Sequence, residues 1–458
     1  MLIVLWTIAI LMILAGTTGQ TSRLDNKLST FMTQEIRCKW ASRAGVEKVI
    51  ALLNEDERTL DGPVDLWAFN PEDLNDVEML YCHYTVRAVD EAGKLNVNTA
   101  TRDQLLGLFE WGMDTAIADA ILDWRDVDDE PGEEGVETGY YENLPYRYAI
   151  PNRPFRTIRE LLKVRGVTEQ LLYGEDTNFN GRLDDCENDG PLTPPLDDAD
   201  GILDLGWISF LTCYEPQTLP QDPNGTTKVD INQATAEQLM ELGLSESQAQ
   251  AVINSRPTNG YSSIGALIST TTGTGMSTSV NTGAGSGTTA GMSTGGGSGQ
   301  TTEQVASTAG PPLDVGTFQT IVDLITVSTA ASSGMGAASG GAGAHLININ
   351  TAPAQVFVAL LGGTDEAYQI AQNIVSVRQG TLEGFNSLGD LLSVPSVTAD
   401  LFAQIVGQLT TRSNVFTVYS IATADQTEIS GASWHTEAVI DRSQSPAKIL
   451  YWYQGACP

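Results

Sequence analysis

The sequence contains few of the residues from which catalytic and nucleic-acid-binding sites are built. Only 3 of its 458 residues are histidine, and 24 basic residues stand against 57 acidic ones, a formal net charge of -33. So few histidines disfavour a histidine-based metal or acid/base site. Such an acidic surface repels nucleic acid and anionic membranes, and it attracts divalent cations. The H-E-x-x-H and P-loop motifs do not occur, and we expect no enzyme.

Charge is missing altogether from the amino terminus. No charged side chain occurs between Met1 and Ser22, whereas from Arg23 to Asn54 apolar and charged residues alternate at helical spacing. We predict one helix of about 50 residues, about 75 Å long. Its first part is apolar enough for a membrane, and the side chains expected to pack there are Met1, Leu2, Ile3, Val4, Leu5, Ile8, Leu11 and Leu14. The alternative is a cleaved signal peptide followed by a surface helix.

One sequence pattern occurs three times, which is typical of a repeated structural unit. Its copies are KLNVNTATRDQL at 94–105, KVDINQATAEQL at 228–239 and LININTAPAQVF at 346–357. Each copy continues into a second helical segment and then into a third element, which is FRTIRELL at 155–162, YSSIGALI at 261–268 and FNSLGDLL at 385–392. We therefore predict a small helical module that is used three times.

Capping residues indicate where the first helix of each module begins. Thr101 with Gln104, and Thr235 with Gln238, form the T-x-x-Q pattern in which two side chains bond the orphan amides of a helix start. In the third copy Pro353 takes the place of the threonine, and a proline is tolerated at a first helical position because that amide has no partner. The apolar residues that follow indicate a core role for each helix.

We predict an α+β protein with a long N-terminal helix, an antiparallel sheet and inserted all-α modules. The predicted order is a stem helix at 1–55, the first part of the sheet at 56–93, module 1 at 94–220, module 2 at 228–328, a linker at 329–345, module 3 at 346–413 and closing strands at 414–458. Strands are expected near 81–89, 415–422, 433–441 and 447–453. Residues 269–312 are rich in glycine, serine and threonine, and we predict a flexible linker there, with a binding role as the alternative.

The five cysteines show no C-x-x-C spacing and no zinc pattern. They allow at most two disulfides within one chain. Cys82 and Cys213 bracket the first repeat, and we predict that these two are paired. The alternative is that both are buried free thiols.

The sharpest local motif is DTNFNGRLDDCE at 176–187, which has the spacing of a 12-residue calcium loop. Glycine stands at position 6 for the sharp turn and an apolar residue at position 8. The expected ligands are Asp176, Asn178, Asn180, the carbonyl of Arg182, Asp184 and Glu187. Prolines at 191, 194 and 195 leave little room for a following helix, so we expect an isolated loop that binds Ca²⁺ without a sensor-type opening. The alternative is an acidic solvated turn.

Two further acidic stretches are weaker candidates. DADGILD at 198–204 repeats the middle of the loop, and its Asp198, Asp200 and Asp204 either share ligands with the first loop or bind nothing. An acidic run from Asp126 to Glu137 lies inside module 1, where clustered carboxylates need a cation or solvent to offset their repulsion. We expect a solvated loop for most of this run and select Asp126 and Asp128 as candidate ligands.

Four segments together resemble the K-type minor pseudopilins of type II secretion systems. They are MLIVLW at 1–6, DEAGKLNVN at 90–98, ILDWRDVDD at 121–129 and ILYWY at 449–453. The resemblance covers nearly the whole chain and implies a pilin-like fold with inserted helix-hairpin-helix or SAM-like modules. It also implies a calcium-linked acidic segment in the first module. The chain departs from the family in carrying an additional module and the neutral insert.

The same resemblance implies a function and a location. A minor pseudopilin of this type is a single-pass protein of the inner membrane with its bulk in the periplasm, and it forms the pseudopilus tip with other minor pseudopilins through their stem helices. A prepilin peptidase removes a short leader, and the new N-terminus is methylated. We therefore expect Met1 to be the mature first residue, or a leader to precede the sequence given.

Most pilins carry a glutamate at mature position five, whereas this sequence has Leu5. A subunit without that carboxylate cannot neutralise the amino terminus of a subunit above it, and an unpaired charge in an apolar filament core is costly. Leu5 therefore suits a subunit at the tip of a filament. By itself it is also compatible with an ordinary apolar membrane residue.

Two other functions remain open at this point. The repeat is similar to the helix-hairpin-helix of DNA-uptake and repair proteins, but the hairpin positions FEWGM at 109–113, LGLSE at 242–246 and GGTDE at 362–366 carry acid where a phosphate contact needs base. We therefore expect no nucleic-acid partner. A secreted calcium-stabilised adhesin is the other alternative, and it would have lost the N-terminal helix.

Overall fold

The computed structural model describes residues 1–56, 60–79, 81–176, 178–192, 197–214, 226–268, 311–327, 345–381, 383–425, 431–443 and 445–456. Both predicted linkers, 269–312 and 329–345, lie almost entirely outside these ranges, as does Cys457. The fold class is confirmed: a long N-terminal helix, an antiparallel sheet and several helical segments form an α+β protein.

The first helix, α1, spans Leu2–Glu55, 54 residues without a break. Its two halves differ in burial because they differ in composition. Residues 1–33 are exposed along their whole length, whereas from Gln34 onward buried residues recur every three or four positions. The amphipathic half therefore belongs to the folded head, and the apolar half extends from it as a stem.

The buried half of α1 packs on a five-stranded antiparallel sheet. The strands are β1 (Val77–Met79), β2 (Cys82–Asp90), β9 (Val415–Ala424), β10 (Ser433–Asp441) and β11 (Lys448–Ala456), in the order β1-β2-β9-β10-β11. Four of them lie where the sequence predicts strands, and β1 is an addition. Gly45 of α1 permits the close approach, since a Cβ there would lie 2.5 Å from Ser420 Oγ on β9.

In each of the three modules, one pair of short parallel strands joins the start of the module to its end. They are β3 (Leu95–Asn96) with β4 (Leu211–Thr212), β5 (Val229–Asp230) with β6 (Ile325–Thr326), and β7 (Ile347–Asn348) with β8 (Leu409–Thr410). The helices are α2 (Pro71–Leu74) beside the sheet, α3 (Arg102–Leu106), α4 (Thr115–Arg125), α5 (Thr138–Tyr141) and α6 (Glu169–Tyr173) in module 1, α7 (Ala236–Glu241), α8 (Glu246–Asn254) and α9 (Val315–Ile321) in module 2, and α10 (Ala354–Leu360), α11 (Asp365–Gly380) and α12 (Ala399–Ile405) in module 3.

The repeated asparagine joins the first and third elements of each module. In module 3 the Asn350 side chain donates to the Phe385 carbonyl at 2.9 Å and accepts from the Phe385 amide at 2.8 Å. The same two-way contact joins Asn98 to Phe155 and Asn232 to Tyr261. Such a pair satisfies one donor and one acceptor of a backbone that has no ladder partner there. This contact explains why the asparagine and the aromatic residue recur together.

The repeated arginine closes the turn before the first helix. Arg378 donates to the carbonyls of Ile349 and Ala352 at 2.9 and 2.7 Å, and Arg125 and Arg256 reach the equivalent turns of their own modules. The capping boxes predicted at Thr101 and Thr235 are both present. Pro353 is the N-cap of α10, one residue before the helix begins.

Module 3 contacts both other modules through glycines. Gly107 of module 1 approaches Ala359 on α10, where a Cβ on the glycine would lie 2.6 Å from the Ala359 Cα. Gly265 of module 2 lies against α12, and a Cβ there would lie 1.9 Å from the Ala403 carbonyl oxygen. Only backbone without a side chain fits at these two contacts.

We expect Gly265→Ala to weaken the docking of module 2 on module 3. The added methyl group meets a backbone oxygen that cannot rotate away, so α12 must shift, at a cost of about 1–3 kcal/mol. Chemical denaturation measures the change. Gly380→Ala is the matched control, because nothing lies within 4 Å of its Cβ position; equal unfolding midpoints for the two variants would contradict this description of the interface.

His345 connects modules 1 and 3 in a buried position. Its Nε2 lies 2.5 Å from the Lys94 carbonyl oxygen, and its Nδ1 has no hydrogen-bond partner among the described residues. Burial lowers the pKa of His345 to about 4 from 6.5, although the Lys94 carbonyl and the Glu91 carboxylate favour the charged form. The folded state therefore holds a neutral imidazole.

This burial predicts a pH dependence of stability. Because the folded pKa lies below the unfolded value, the contribution of His345 is complete above about pH 6.5 and is lost as the pH falls toward 4. We expect the unfolding free energy of the natural chain to fall by about 2 kcal/mol more between pH 7.5 and 5 than that of His345→Gln. Equal falls for the two proteins would show that His345 is not held neutral.

The cysteine pairing differs from the prediction. Cys82 and Cys213 belong to two separate hydrophobic clusters, one under α1 and one within the modules, and no bond joins them. Cys82 instead faces Cys38 on α1. The prediction from sequence order failed because the stem helix folds back onto the strand that carries Cys82.

Candidate metal centre and exposed stem

The predicted calcium loop, residues 176–187, turns around its own polar side chains. Asp176 is buried and accepts hydrogen bonds from the backbone amides of Asn180 at 3.0 Å and of Gly181 at 2.9 Å. Gly181 has a φ of 69°, a left-handed conformation that favours glycine. The backbone therefore makes the turn that the motif predicts.

The remaining candidate ligands of this loop contact one another. The side-chain amides of Asn178 and Asn180 both donate to Asp184 Oδ2, at 2.7 and 2.8 Å. Glu187 is buried, and its Oε2 accepts from the Asp184 amide at 3.1 Å. Rotation of the two amide groups by half a turn exchanges their nitrogen and oxygen atoms. The donor set of carboxylate and amide oxygens then suits Ca²⁺, which takes oxygen ligands. Calcium binding by this loop stays a prediction.

The loop lies between module 1 and the sheet. Its Phe179 packs on Tyr419 of β9 with ring centroids 4.9 Å apart. Arg87 of β2 donates to the Phe179 carbonyl at 3.5 Å and lies 3.8 Å from Asp176. A change in the shape of this loop would therefore act on the contact between the module and the sheet.

The second acidic stretch runs alongside the start of the first loop. The Asp204 amide donates to Glu175 Oε2 and the Asp204 carbonyl accepts from the Glu175 amide, both at 2.9 Å. Asp198 and Asp200 are exposed, and each accepts a hydrogen bond from a backbone amide two residues on. The structure brings the two stretches together but does not place these three carboxylates around a common point.

A different group of carboxylates does converge. Asp123 on α4, Asp126 at its C-terminal end and Glu137 before α5 hold one oxygen each within 4.8 Å of one another, and no other described group of three histidine, cysteine or acidic side chains does so. Asp123 accepts from the Gly132 amide at 3.0 Å, so the loop between α4 and α5 wraps around it. We call these three residues the acidic triad.

Two residues of the acidic triad, Asp126 and Glu137, have carboxylate oxygens without hydrogen-bond donors among the described residues. Asp126 Oδ1 and both carboxylate oxygens of Glu137 are buried without a partner in the described structure. Burial raises the pKa of Asp126 to about 6 and that of Glu137 to about 7, and neighbouring carboxylates add to both shifts. Buried carboxylates without donors are costly unless a cation or a proton neutralises them. Three oxygens from carboxylates fit a hard divalent cation.

The sequence identified this centre only in part. Asp126 belongs to it, whereas the other selected residue, Asp128, is exposed and accepts from the Glu130 amide at 3.0 Å. Asp123 and Glu137 were not selected. The spacing of three between Asp123 and Asp126 at a helix end was the available signal, because residues three apart lie on one helix face.

The exposed stem is the other candidate site. Among the described residues, α1 is the one helix that is long and apolar enough to cross a membrane, and its most apolar window is not buried at all against the rest of the chain. The exposed large side chains include Leu2, Leu5, Ile8, Leu11 and Leu14. An apolar surface of this size needs a lipid or protein environment.

Comparison with known protein families finds matches in all three modules. Two family models described as type II secretion system protein K match the chain, one over residues 76–173 and the other over residues 229–286 and 347–412. The chain belongs to the type II secretion system protein K family. The predicted family is thereby confirmed, and the predicted function, a minor pseudopilin of type II secretion, follows from it.

The matched ranges correspond to elements already described. The first runs from the sheet strand β1 to the end of α6 in module 1, and the second covers modules 2 and 3 with an interruption at 287–346. The interruption contains part of the predicted linkers. Protein K membership favours the pseudopilin function over DNA binding and over a secreted adhesin.

A similar solved structure covers nearly the full length. It is a chain of the crystal structure of the GspK-GspI-GspJ complex from the enterotoxigenic Escherichia coli type 2 secretion system, 12% identical, with 95% of this chain and 99% of that chain covered and a TM-score of 0.46. No curated protein matches the chain.

Proposed function

We propose that this member of the protein K family forms the tip of the type II secretion pseudopilus. The stem would cross the inner membrane once, leaving the sheet and the three modules in the periplasm. There the protein would associate with other minor pseudopilins and initiate or cap the filament for export across the outer membrane. The role is structural rather than catalytic.

The exposed stem is the main observation that supports a place in the pseudopilus. Residues 1–33 project from the head without touching it, so the apolar side chains that begin at Leu2 are available to lipid and to partner helices. Transfer of such residues from water into an apolar environment is favourable by about 1.5–3 kcal/mol each, which anchors the stem in the membrane. There, close packing between stem helices supplies the attraction between subunits.

The first residues of the stem support a terminal position. Leu5 is exposed and apolar and offers no carboxylate to the amino group of a following subunit. The three modules and the sheet form a wide head on this one stem. A following subunit would lack both a charge partner and room, which favours placement at the filament end.

Calcium binding is the second part of the proposal. The acidic triad would hold one Ca²⁺ through carboxylate oxygens of Asp123, Asp126 and Glu137, and the 176–187 loop would hold another. The first ion would fasten the acidic loop to α4, and the second would fasten module 1 to the sheet. Both ions would stiffen module 1, because loops without regular structure otherwise open easily.

The N-terminus is the third part. We infer that a prepilin peptidase exposes the mature amino group and that this group is then methylated. Mass spectrometry of the N-terminal peptide from membrane-extracted protein tests the inference. A peptide that starts at Met1 with one added methyl group supports it, and a start beyond Ala15 would contradict both processing and the membrane stem.

Co-purification tests the tip assignment. The full chain is extracted from membranes together with the GspI-type and GspJ-type subunits of the same organism, with and without a calcium chelator. We expect a stable complex, and we expect Ile8→Glu to reduce its yield about tenfold or more because a charge at this depth is costly. Val127→Glu is the matched control, since Val127 is exposed on module 1 and away from the stem.

Each outcome has a meaning. A complex that survives Ile8→Glu would show that the stem does not carry the assembly. An intact monomer that never associates would contradict the proposed function itself. Retention of the free protein on immobilised DNA at low salt would support the DNA-binding alternative.

A further inference from the structure

The stem helix and the sheet meet at two cysteines. Cys38 lies on α1 and Cys82 is the first residue of β2; both side chains are fully buried, and their Sγ atoms are 3.3 Å apart. We propose that Cys38 and Cys82 form a disulfide bond that fastens α1 to the sheet where the stem begins. The proposal rests on the periplasmic location of the head given above, because disulfides form and persist in oxidising compartments.

The contacts around the pair hold the two thiols in register. On one side the Arg37 guanidinium lies over the Tyr81 ring, 5.0 Å from its centroid. Each of these residues directly precedes one of the cysteines. Cys38 Sγ also lies 3.4 Å from the Ala432 carbonyl oxygen next to β10. The helix and the strand are therefore held against each other beside the two cysteines. The two sulfur atoms need to approach by only about 1 Å, from 3.3 Å to ~2.05 Å, to form a covalent bond.

Other uses of the pair fit the structure less well. Metal binding would need further ligands, and within the described part of the chain these thiols belong to no group of three metal-binding side chains. Burial raises the pKa of Cys38 to about 12 and also raises that of Cys82. Thiols held in the protonated form are poor nucleophiles, so a catalytic or sensing role is disfavoured and a structural one favoured.

The bond forms by ordinary thiol–disulfide exchange. One cysteine, as a thiolate, attacks a disulfide of a periplasmic dithiol–disulfide oxidoreductase or of oxidised glutathione, and one thiolate of the oxidant leaves. The second cysteine then attacks the mixed disulfide and releases the other oxidant sulfur. The two cysteines lose two protons and two electrons, and the oxidant gains them as two thiols. Because the folded pair is buried, we place this step during folding.

The position of the bond gives it a mechanical role. Gln34 is the first buried residue of α1, and Cys38 is the next one. A covalent link at Cys38 therefore lies where the stem leaves the sheet. When neighbouring subunits pull on the stem, the helix cannot peel away from the head beyond this point, so displacement of the stem is transmitted to the head.

Peptide mapping is the direct test. The full chain is extracted in detergent from cells treated with a membrane-permeant thiol alkylator and digested without reductant. We expect a linked peptide pair containing Cys38 and Cys82, which separates on reduction. Alkylated Cys38 and Cys82, or a pair that links Cys82 to Cys213, would overturn the proposal.

A thermal measurement adds a consequence of the bond. We expect dithiothreitol to lower the unfolding midpoint of the natural protein by about 5 °C or more, and to have no effect on Cys38→Ala, Cys82→Ala or the double variant. Cys213→Ala is the control, because it removes a buried cysteine of the other cluster and should keep the response to reductant. An unfolding midpoint of the natural protein that does not change with dithiothreitol would contradict the proposal.

Failure of the bond and failure of the location can be told apart. Protease digestion of the head in spheroplasts reports whether it faces the periplasm. A periplasmic head with two alkylated thiols overturns the bond and leaves the proposed function standing. If the head is not periplasmic, the chain is reduced, unfolded and refolded in detergent with a glutathione redox mixture; failure to link Cys38 with Cys82 there overturns the geometry itself.

Discussion

Arg442→Met should destabilise the head by about 3–5 kcal/mol, the range expected when one partner of a buried ion pair is removed. Arg442 follows β10 and is almost fully buried. It donates to Asp56 Oδ2 at 2.5 Å, to Asp61 Oδ1 and to the Ser413 carbonyl at 3.1 Å. Methionine fills much of the same volume but leaves Asp61 as an uncompensated buried carboxylate.

The same substitution has a pH signature. Burial raises the pKa of Asp61 to about 7 from 3.8 even though Arg442 opposes the shift. A raised carboxylate pKa means that the folded state favours the proton, so stability is lost as the pH rises through the folded value. Without Arg442 this loss grows, and we expect the cost of Arg442→Met to be larger at pH 8 than at pH 5.

Equilibrium denaturation at the two pH values measures both effects. Lys448→Met is the matched control, because it removes one positive charge from an exposed position on β11 and should change stability by no more than about 0.5 kcal/mol. Equal costs for Arg442→Met and Lys448→Met would mean that the buried ion pair does not hold the head together.

Arg442 belongs to a larger buried network that joins the sheet to module 3. Asn348 of β7 donates to the Asp61 carbonyl at 3.1 Å, to Asp90 Oδ2 at 3.0 Å and to Ser413 Oγ at 3.0 Å. All three equivalent residues, Asn96, Asp230 and Asn348, accept from the backbone amide two positions on. The side-chain amide of Asn96, however, donates to the Tyr214 carbonyl at 3.3 Å rather than to the end of the sheet. The network therefore fixes module 3 to the end of the sheet.

Removal of calcium should destabilise the natural protein more than a variant of the acidic triad. If Ca²⁺ binds the acidic triad, a free concentration 100 times the dissociation constant stabilises the folded state by about 2.7 kcal/mol. The double variant Asp123→Asn with Glu137→Gln should lose this response. In the presence of chelator it should be more stable than the natural chain. Glu137, whose two buried oxygens have no donor in the described structure, becomes a neutral amide, and residue 123 no longer repels the Asp126 carboxylate.

Thermal unfolding with added Ca²⁺ or chelator tests this expectation. The pair Asp128→Asn with Glu130→Gln makes the same charge change in the same loop at exposed positions and should keep the response to Ca²⁺. A double triad variant that still responds in full would assign the effect to another site. Asp176→Asn then decides whether that site is the 176–187 loop, where this substitution should abolish what remains.

Local sequence patterns predicted the elements that depend on near neighbours. The capping boxes at Thr101 and Thr235 are formed within three residues, and the apolar run before Arg23 determines the exposed stem. Four strands of the sheet lie where the sequence predicts them. The repeated pattern predicted the three modules, because the same contacts within each module require the same residue types at the same positions.

Contacts between distant segments could not be predicted in this way. Cys38 meets Cys82 across 44 positions, and Arg442 meets Asp61 across 381. The acidic triad depends on a loop that folds back over α4, so the sequence favoured exposed Asp128 over buried Asp123. In each case the packing of distant elements determines which residue is the partner. A periodic pattern within one segment carries no information about that partner.

The position of this protein K family member within an assembled pseudopilus is the most direct test of the account. A gold label on an exposed position of module 1, such as a cysteine at Val127, can be located on isolated filaments by electron microscopy. We expect one label at one end of each filament. Labels along the shaft, or further subunits beyond the label on the distal side, would contradict it.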